Sequence, residues 1–238
     1  MPGLYLRNMK KLGLIGGTGP ESTVIYYQEL CQEVYRAIGE LPPLAVESLS
    51  VYEVLRFCEE GDMDGLCRYL ARGVASLKAA GCDFAALTGI TPHIVFPGLR
   101  RLSPLPLVSL VETSAAFIRK EGYRKVGLLG TGPTMKEPFF QDTLRSSGIE
   151  VELPDKEDQA VLAYKISSEL EQGVVSMETK AWCYSLVKRL RDERGIEAAV
   201  LGCTELPLVF KEPGAVPFVD VMRVHVKVLS GMIIKDRA

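Results

Sequence analysis

An internal repeat constrains the fold of this chain more than any other feature of its sequence. The segment Lys11-Leu-Gly-Leu-Ile-Gly16 and the Thr-Gly-Pro after it recur as Lys125-Val-Gly-Leu-Leu-Gly130 with its own Thr-Gly-Pro. A second segment, Ala85-Ala-Leu-Thr-Gly-Ile-Thr91, recurs in the same order as Ala198-Ala-Val-Leu-Gly-Cys-Thr204. The first pair is separated by 114 positions (11 to 125) and the second by 113 (85 to 198). Because chance would rarely preserve both spacings, the chain is expected to fold as two similar halves.

Short apolar runs that end at turn residues alternate along the chain with longer amphipathic stretches. This alternation is typical of parallel sheets in an α/β fold. We therefore predict two similar lobes, each a parallel sheet flanked by helices, related by a pseudo-twofold axis and facing each other across a cleft. The predicted first lobe is residues 1–108 with 212–238, because the last strand and helix are expected to return to it. The second lobe is residues 109–211.

The pattern also predicts the individual elements. The predicted strands are 11–16, 44–51, 83–87, 107–110, 125–130, 151–153, 198–201 and 216–219, and the predicted helices are 20–38, 63–80, 112–120, 135–147, 157–172, 176–193 and 221–234. Thr18 and Glu21 have the spacing of a capping box at the start of the first helix.

Composition narrows the functional classes. The chain has 238 residues, 47% of them hydrophobic, and a formal net charge of −2, which does not favour binding to nucleic acid or to an anionic membrane. Its six cysteines form no Cys-x-x-Cys pair, and with two histidines there is no zinc-ligand spacing, so no metal site is predicted. Met1–Lys11 lacks the apolar core of a signal peptide, and no apolar run reaches membrane-spanning length. Free thiols are expected in a reducing, cytoplasmic setting.

Cys203 is the first candidate functional residue. It follows the apolar run Ala198–Leu201 and precedes polar residues suited to opening a helix. A thiol between the carboxyl end of a strand and the first turn of a helix is expected to have a lowered pKa, because free N–H groups and the helix dipole stabilise the thiolate. The alternative is that Cys203 is a small buried hydrophobe. Glu205, two residues later, is interpreted as a helix-capping carboxylate.

Two glycine-rich turns are candidate anion sites, because backbone N–H groups point outward where such a turn feeds a helix. They are Gly17-Thr-Gly19 and Thr131-Gly-Pro-Thr134, and neither is a nucleotide-phosphate motif. Taken alone, each set of glycines is better explained as a tight turn. Paired across the predicted cleft, the two turns favour a small carboxylic acid as the partner. His93 either orients that ligand and tunes its proton chemistry or caps its own helix, and His225 is predicted to make a structural hydrogen bond.

With these residues in view, the chain resembles the cofactor-independent aspartate/glutamate racemase superfamily, and its aspartate racemase branch in particular. The resemblance extends over nearly the whole chain. The matching segments are Leu14-Ile-Gly-Gly-Thr-Gly-Pro-Glu-Ser-Thr23, Thr91-Pro-His93, Leu129-Gly-Thr-x-x-Thr-Met135, Leu201-Gly-Cys-Thr-Glu-Leu206 and Pro217-Phe-Val-Asp220 with His225. It implies a two-lobe enzyme, often a homodimer, that uses neither pyridoxal phosphate nor a metal ion. In the family two cysteines flank the α-carbon of the substrate, and Cys203 matches the second of them.

The chain departs from the family pattern at the first cysteine. The family has Cys-Asn-Thr-x-His, and here Gly89 and Ile90 stand in place of the Cys and the Asn. The internal repeat gives another register, which places Ile90 opposite Cys203. Neither register supplies a thiol. Some relatives carry Thr in place of the first cysteine, and Thr88 is adjacent.

The predicted site therefore has two parts. The candidate catalytic residues are Cys203, Thr88 and His93. The candidate substrate-binding residues are Thr18, Gly89, Ile90, Thr91, Thr131, Thr134, Thr204 and Lys165.

Three functions remain open from the sequence. The first is an amino-acid racemase of the aspartate/glutamate type, with Cys203 on one face of the α-carbon and Thr88 or a water molecule on the other. The second is a single-thiol lyase resembling the arylmalonate decarboxylases, which also have Gly at the first position. The third is a catalytically silent binder of small carboxylic acids.

Overall fold

The structure, a computed structural model, describes residues 9–234. The prediction that no signal peptide is present concerns mainly residues outside this range. The chain forms two compact units. One extends to Leu110 and resumes at His225, and the other runs from Val111 to Val224. Each unit is described by itself below.

The first unit is built on a four-stranded parallel sheet. Its elements are β1 (Leu12–Gly16), α1 (Pro20–Ile38), β2 (Leu44–Ser48), α2 (Val51–Glu60), α3 (Met63–Ala79), β3 (Phe84–Leu87), a 3₁₀ helix (Thr91–Val95), α4 (Phe96–Leu102) and β4 (Leu107–Val108). The strand order is β2-β1-β3-β4. Leu66, Leu70 and Val74 follow one face of α3 and are fully buried. Each such side chain contributes roughly 1.5–3 kcal/mol of hydrophobic stabilisation.

The second unit repeats this architecture. Its elements are α5 (Leu110–Lys120), β5 (Lys125–Gly130), α6 (Gly132–Lys136), α7 (Pro138–Ser146), β6 (Glu150–Glu152), α8 (Lys156–Ser168), a 3₁₀ helix (Leu170–Gln172), α9 (Met177–Arg194), β7 (Ala198–Gly202), α10 (Leu206–Val209), β8 (Phe218–Asp220) and α11 (Val221–Ile234), the last of which leads back into the first unit. The strand order is β6-β5-β7-β8, so β5 occupies the place of β1 and β7 the place of β3. The predicted α/β class and the internal repeat are thus confirmed.

The last strand belongs to the second unit, and the prediction that it returns to the first is wrong. β8 pairs in parallel with β7, with Val219 opposite Val200. Only the helix after it returns, where the Lys10 N–H donates to the carbonyl of Ile233 at 3.0 Å. The chain therefore passes back within α11 rather than near residue 211, because β7 offers β8 an unpaired parallel edge.

Local details differ from the prediction in four places. α2 and α4 were not predicted, and the predicted helix 135–147 is interrupted at Pro138, which begins α7 because it has no N–H to continue α6. The predicted capping box is also absent. The N-cap of α1 is Gly19 without a side-chain hydrogen bond, because Thr23 rather than Thr18 bonds the turn. Among the described helices, none combines the length and apolar character needed to cross a membrane.

Candidate active site

Glycines bring the ends of β5 and β7 into close approach in the second unit. A Cβ atom added to Gly130 would lie 2.6 Å from the carbonyl oxygen of Gly202, and one added to Gly202 would lie 2.9 Å from that of Leu129. Both distances are shorter than a Cβ tolerates. The side chain of Thr134 packs against the same two glycines. Glycine is therefore required at both positions, and Cys203 follows Gly202 at the carboxyl end of a buried strand.

The thiol of Cys203 is paired with a carboxylate. Its Sγ donates to Oε2 of Glu205 at 2.9 Å, and the Thr204 hydroxyl donates to Oε1 of the same carboxylate at 2.7 Å. Cys203 is 4% exposed. Glu205 makes no side-chain cap to α10, so its interpretation as a capping carboxylate is wrong. The arrangement is a thiol–carboxylate dyad, with both carboxylate oxygens engaged.

Burial, and then the negative charge of Glu205, raises the pKa of the Cys203 thiol well above its usual value. This is the opposite of the predicted shift. α10 has only four residues, so it provides little dipole, whereas the carboxylate is in direct contact. Cys203 is consequently a protonated thiol near neutral pH. It can ionise there only by transferring its proton to a neighbouring acceptor.

Strand pairing identifies the residue of the first unit that corresponds to Cys203. β1 pairs Ile15 with Leu87, and β5 pairs Leu129 with Leu201. Since β1 and β5 are equivalent, the residue two positions after Leu87 is equivalent to Cys203, and that residue is Gly89. The register taken from the sequence repeat, which placed Ile90 opposite Cys203, is wrong by one residue.

The hydroxyl of Thr88 is used inside the first unit. It donates to the carbonyl of Ile15 at 3.2 Å and lies 3.1 Å from the hydroxyl of Thr23, and Thr88 is completely buried. Thr23 in turn donates to the Gly19 carbonyl and accepts from the Gly17 N–H. Thr88 therefore ties the end of β3 to the turn after β1.

Thr18 lies directly against Gly89. A Cβ atom added to Gly89 would come within 2.6 Å of Thr18 Oγ1 and 3.2 Å of its carbonyl oxygen. Thr18 Oγ1 is buried and has no hydrogen-bond partner. A predicted substrate-binding hydroxyl thus occupies the space beside the position that corresponds to Cys203.

His93 is held by backbone groups on both ring nitrogens. Nδ1 lies 3.1 Å from the carbonyl oxygen of Gly89 and 3.2 Å from that of Ile90, while the N–H of Leu110 donates to Nε2 at 3.2 Å. This pattern assigns the proton to Nδ1. His93 is buried, and its ring stacks on Phe96. It fixes the loop that begins at Gly89, and the buried Ile90 and half-buried Thr91 belong to the same loop.

The remaining predicted residues are in the second unit. The hydroxyls of Thr131 and Thr134 lie 3.0 Å apart, and Thr134 is buried. Lys165 is different, because its ammonium donates to Thr179 at 3.0 Å and lies 3.5 Å from the carboxylate of Glu178. It connects α8 with α9, an ordinary structural use of a buried lysine.

His225 makes the structural hydrogen bond that the sequence predicted. Its Nδ1 lies 2.8 Å from the hydroxyl of Tyr26, and both side chains are fully buried in the first unit. Within residues 9–234, no three His, Cys, Asp or Glu side chains are grouped as a metal site would require.

Two α/β units with the same strand order, one of which carries a carboxylate-paired thiol at a strand end, define the class to which this molecule belongs. The model of the Asp/Glu/Hydantoin racemase family matches residues 15–229, and the chain belongs to that family.

Known relatives align over most of the chain. An aspartate racemase homologue from Pyrococcus horikoshii OT3 is 37% identical, with a TM-score of 0.82, over 93% of this chain and 97% of that one. A second solved structure is that of a chain from Yersinia pestis, described provisionally as an Asp/Glu racemase. It is 30% identical, with a TM-score of 0.89, over 95% of this chain and 100% of that one. The broad specificity amino-acid racemase RacX of Bacillus subtilis (strain 168) is 24% identical over 88% of this chain and 92% of RacX.

Proposed function

We propose that this chain is a cofactor-independent amino-acid racemase that moves the α-proton of a small amino acid of the aspartate/glutamate type. Family membership and the racemase relatives support the reaction class. The observation that carries the assignment to a residue is the 2.9 Å contact from Cys203 Sγ to Glu205. A buried thiol beside a carboxylate has a built-in acceptor for its proton.

The proton transfers balance without a cofactor. Glu205 accepts the proton of the Cys203 thiol, and the sulfur then accepts the α-proton of the substrate. The electron pair of the broken C–H bond stays on the α-carbon and its carboxylate. Return of a proton from water to the opposite face gives the enantiomer and leaves hydroxide, which the proton held on Glu205 neutralises, while the sulfur keeps the former α-proton. Return from Cys203 instead restores the starting amino acid, and Glu205 then gives its proton back to the sulfur. Positioned proton carriers of this kind contribute about 10²–10⁴-fold each.

The residues predicted for the second proton transfer do not provide a proton carrier. Gly89 has no side chain, the Thr88 hydroxyl is engaged with Ile15, and both nitrogens of His93 contact backbone groups. We propose that a water molecule returns the proton, while His93 acts as a positioning residue for the Gly89 loop. Because water is a poorer acid than a thiol, exchange of the α-proton is expected to be faster than inversion.

The carboxylate of the substrate is proposed to bind at the turn of the second unit. Thr131 and Thr134 present hydroxyls there beside the closely packed glycines. The Thr204 hydroxyl, by contrast, already donates to Glu205. Hydroxyl donors match a carboxylate acceptor. Lys165 is not needed in this scheme, since its ammonium already bonds Thr179.

The test is incubation with L- and D-aspartate and L- and D-glutamate in deuterated water, followed by NMR for exchange and chiral chromatography for inversion. The wild type should exchange the α-proton, and Cys203→Ala should lose the exchange by at least about 10²-fold. Cys31→Ser, which alters a partly exposed thiol on α1, is the control and should retain the rate. If both variants retained exchange, Cys203 would have no part in the mechanism.

A single-thiol lyase is the second candidate, and the correspondence of Gly89 with Cys203 favours it. Loss of carbon dioxide from a substituted malonate generates a carbanion without a base, so one thiol suffices to protonate it. Release of carbon dioxide from an arylmalonate, lost in Cys203→Ala, would support this function. Exchange of aspartate without any decarboxylation would reject it.

A further inference from the structure

The hydroxyl of Thr18 has an unusual environment. Thr18 Oγ1 is buried and has no hydrogen-bond partner. A buried polar atom without a partner is destabilising, so native structures retain few of them. A hydroxyl that gains nothing from the protein is available for a ligand.

The position of this hydroxyl is set by Gly89. The added Cβ of residue 89 would meet Thr18 Oγ1 at 2.6 Å, and the backbone of Gly89 is not in the left-handed region, so its conformation alone does not require glycine. Strand pairing makes Gly89 the counterpart of Cys203. The Thr18 hydroxyl therefore lies where the side chain of that counterpart would begin.

We propose that Thr18 and Gly89 are a complementary pair, in which the Thr18 hydroxyl replaces a side chain at position 89 and donates a hydrogen bond to the substrate. The ligand contact rests on the proposed function, whereas the steric pairing does not. A threonine hydroxyl is a weak base, so this pair supplies a binding contact and leaves proton return to water. Thr88, whose hydroxyl already bonds Ile15, does not take this role.

The steric part is tested by a double-mutant cycle of thermal unfolding. Gly89→Ala should lower the unfolding midpoint by about 4–8 °C, as expected for overpacking in a protein of this size. In the Thr18→Ala background the same substitution should cost half of that or less, because the 2.6 Å contact is gone. Gly231→Ala is the control. Gly231 is exposed on α11 with nothing near an added Cβ, so the midpoint should not fall.

Equal shifts from Gly89→Ala in both backgrounds, or no shift in either, would overturn the pair. The cycle needs no substrate, so its result stands apart from the question of racemase activity.

The ligand contact is tested by comparing Thr18→Val with Thr18→Ser in the L-aspartate exchange assay. Thr18→Val keeps the shape without the hydroxyl and should lose at least about tenfold in exchange rate, because a bond to a charged group is lost. It should not lower the unfolding midpoint, since the buried oxygen had no partner. Thr18→Ser should stay within about threefold of the wild type.

Similar rates in the two Thr18 variants would overturn the ligand contact. Absence of exchange in the wild type with aspartate and glutamate would instead overturn the proposed function, and the ligand contact with it, while the unfolding cycle would still decide the steric pair.

Discussion

Cys203 and Glu205 show how two neighbouring side chains can set the protonation of a site. The carboxylate contacts the thiol at 2.9 Å and, with burial, raises its pKa. The same contact makes Glu205 the nearest proton acceptor. The high pKa keeps the thiol protonated near neutral pH. In the proposed reaction, Glu205 accepts the proton of the thiol.

Glu205→Gln should therefore separate the ionisation of Cys203 from its function. Removing the negative charge should lower the pKa of the thiol, although burial, the larger cause, should keep it above the usual value. The rate of α-proton exchange should nevertheless fall by about 10²-fold, because the proton acceptor is lost. Thiolate absorbance, taken as the difference from Cys203→Ala, measures the pKa, and NMR in deuterated water measures the rate.

Glu171→Gln is the matched control. The Glu171 charge also raises the pKa of Cys203, but only as a minor contribution, and its side chain is exposed. This variant should keep the exchange rate. If Glu205→Gln kept it too, the carboxylate would not be the acceptor.

The sequence could identify Cys203 but not its partner or its pKa. A Cys between a strand end and polar residues is visible in one dimension, whereas the side-chain direction that joins Sγ to Glu205 is not. The close approach of Thr18 to Gly89 is equally hidden, because it joins residues about 70 positions apart and depends on how the turn after β1 folds.

At the scale of elements, the turn after β1 depends on one glycine. Gly17 has φ +76°, and a Cβ atom added there would clash with the carbonyl oxygen of Leu49. The Gly17 N–H also donates to Thr23, which contacts Thr88. The turn that carries Thr18 is therefore locked against both neighbouring strands.

Gly17→Ala should destabilise the protein more than the left-handed conformation alone requires. Gly39, which ends α1, has φ +73° with nothing near an added Cβ, so Gly39→Ala should cost only the conformational penalty of roughly 1–2 kcal/mol. Gly17→Ala adds a backbone clash and should cost at least about 1 kcal/mol more. Urea unfolding of both variants measures the difference, and equal losses would contradict the clash.

The elements that the sequence predicted well are those with a continuous physical signal. Buried apolar strands such as β1 and β5, and the amphipathic α3, agree with the structure to within about a residue. α2 is not predicted because the apolar/polar alternation of β2 continues to Leu49 and Val51, past Ser48, where pairing with Gly16 ends. β8 was assigned to the wrong lobe because three residues carry no information about which edge they join.

At the scale of the whole molecule, the chain passes between its two units twice, after Leu110 and at His225. His225 therefore lies where α11 enters the first unit, and its bond to Tyr26 on α1 anchors the returning helix. Because both side chains are fully buried, this anchor depends on an imidazole that remains neutral.

This anchor should make folding sensitive to mild acid. Burial, and then repulsion from His93, lowers the pKa of His225 from 6.5 to about 3. Above pH 6.5 the imidazole is neutral in both states and the native bond is fully available. As the pH falls from 6.5 toward 3, the unfolded chain binds a proton that the native state does not, so stability is lost progressively. Between pH 7 and pH 5 this one group should cost about 2 kcal/mol.

The comparison that isolates this effect is urea unfolding of the wild type and His225→Gln at pH 7, 6 and 5. Carboxylates contribute equally to both proteins, so the wild type should lose about 2 kcal/mol more than the variant over this range. His225→Gln is expected to start less stable, because the Tyr26 bond is altered, and to approach the wild type as the pH falls. Parallel pH profiles would mean that His225 is protonated without unfolding, and that the return of α11 to the first unit does not require a neutral imidazole.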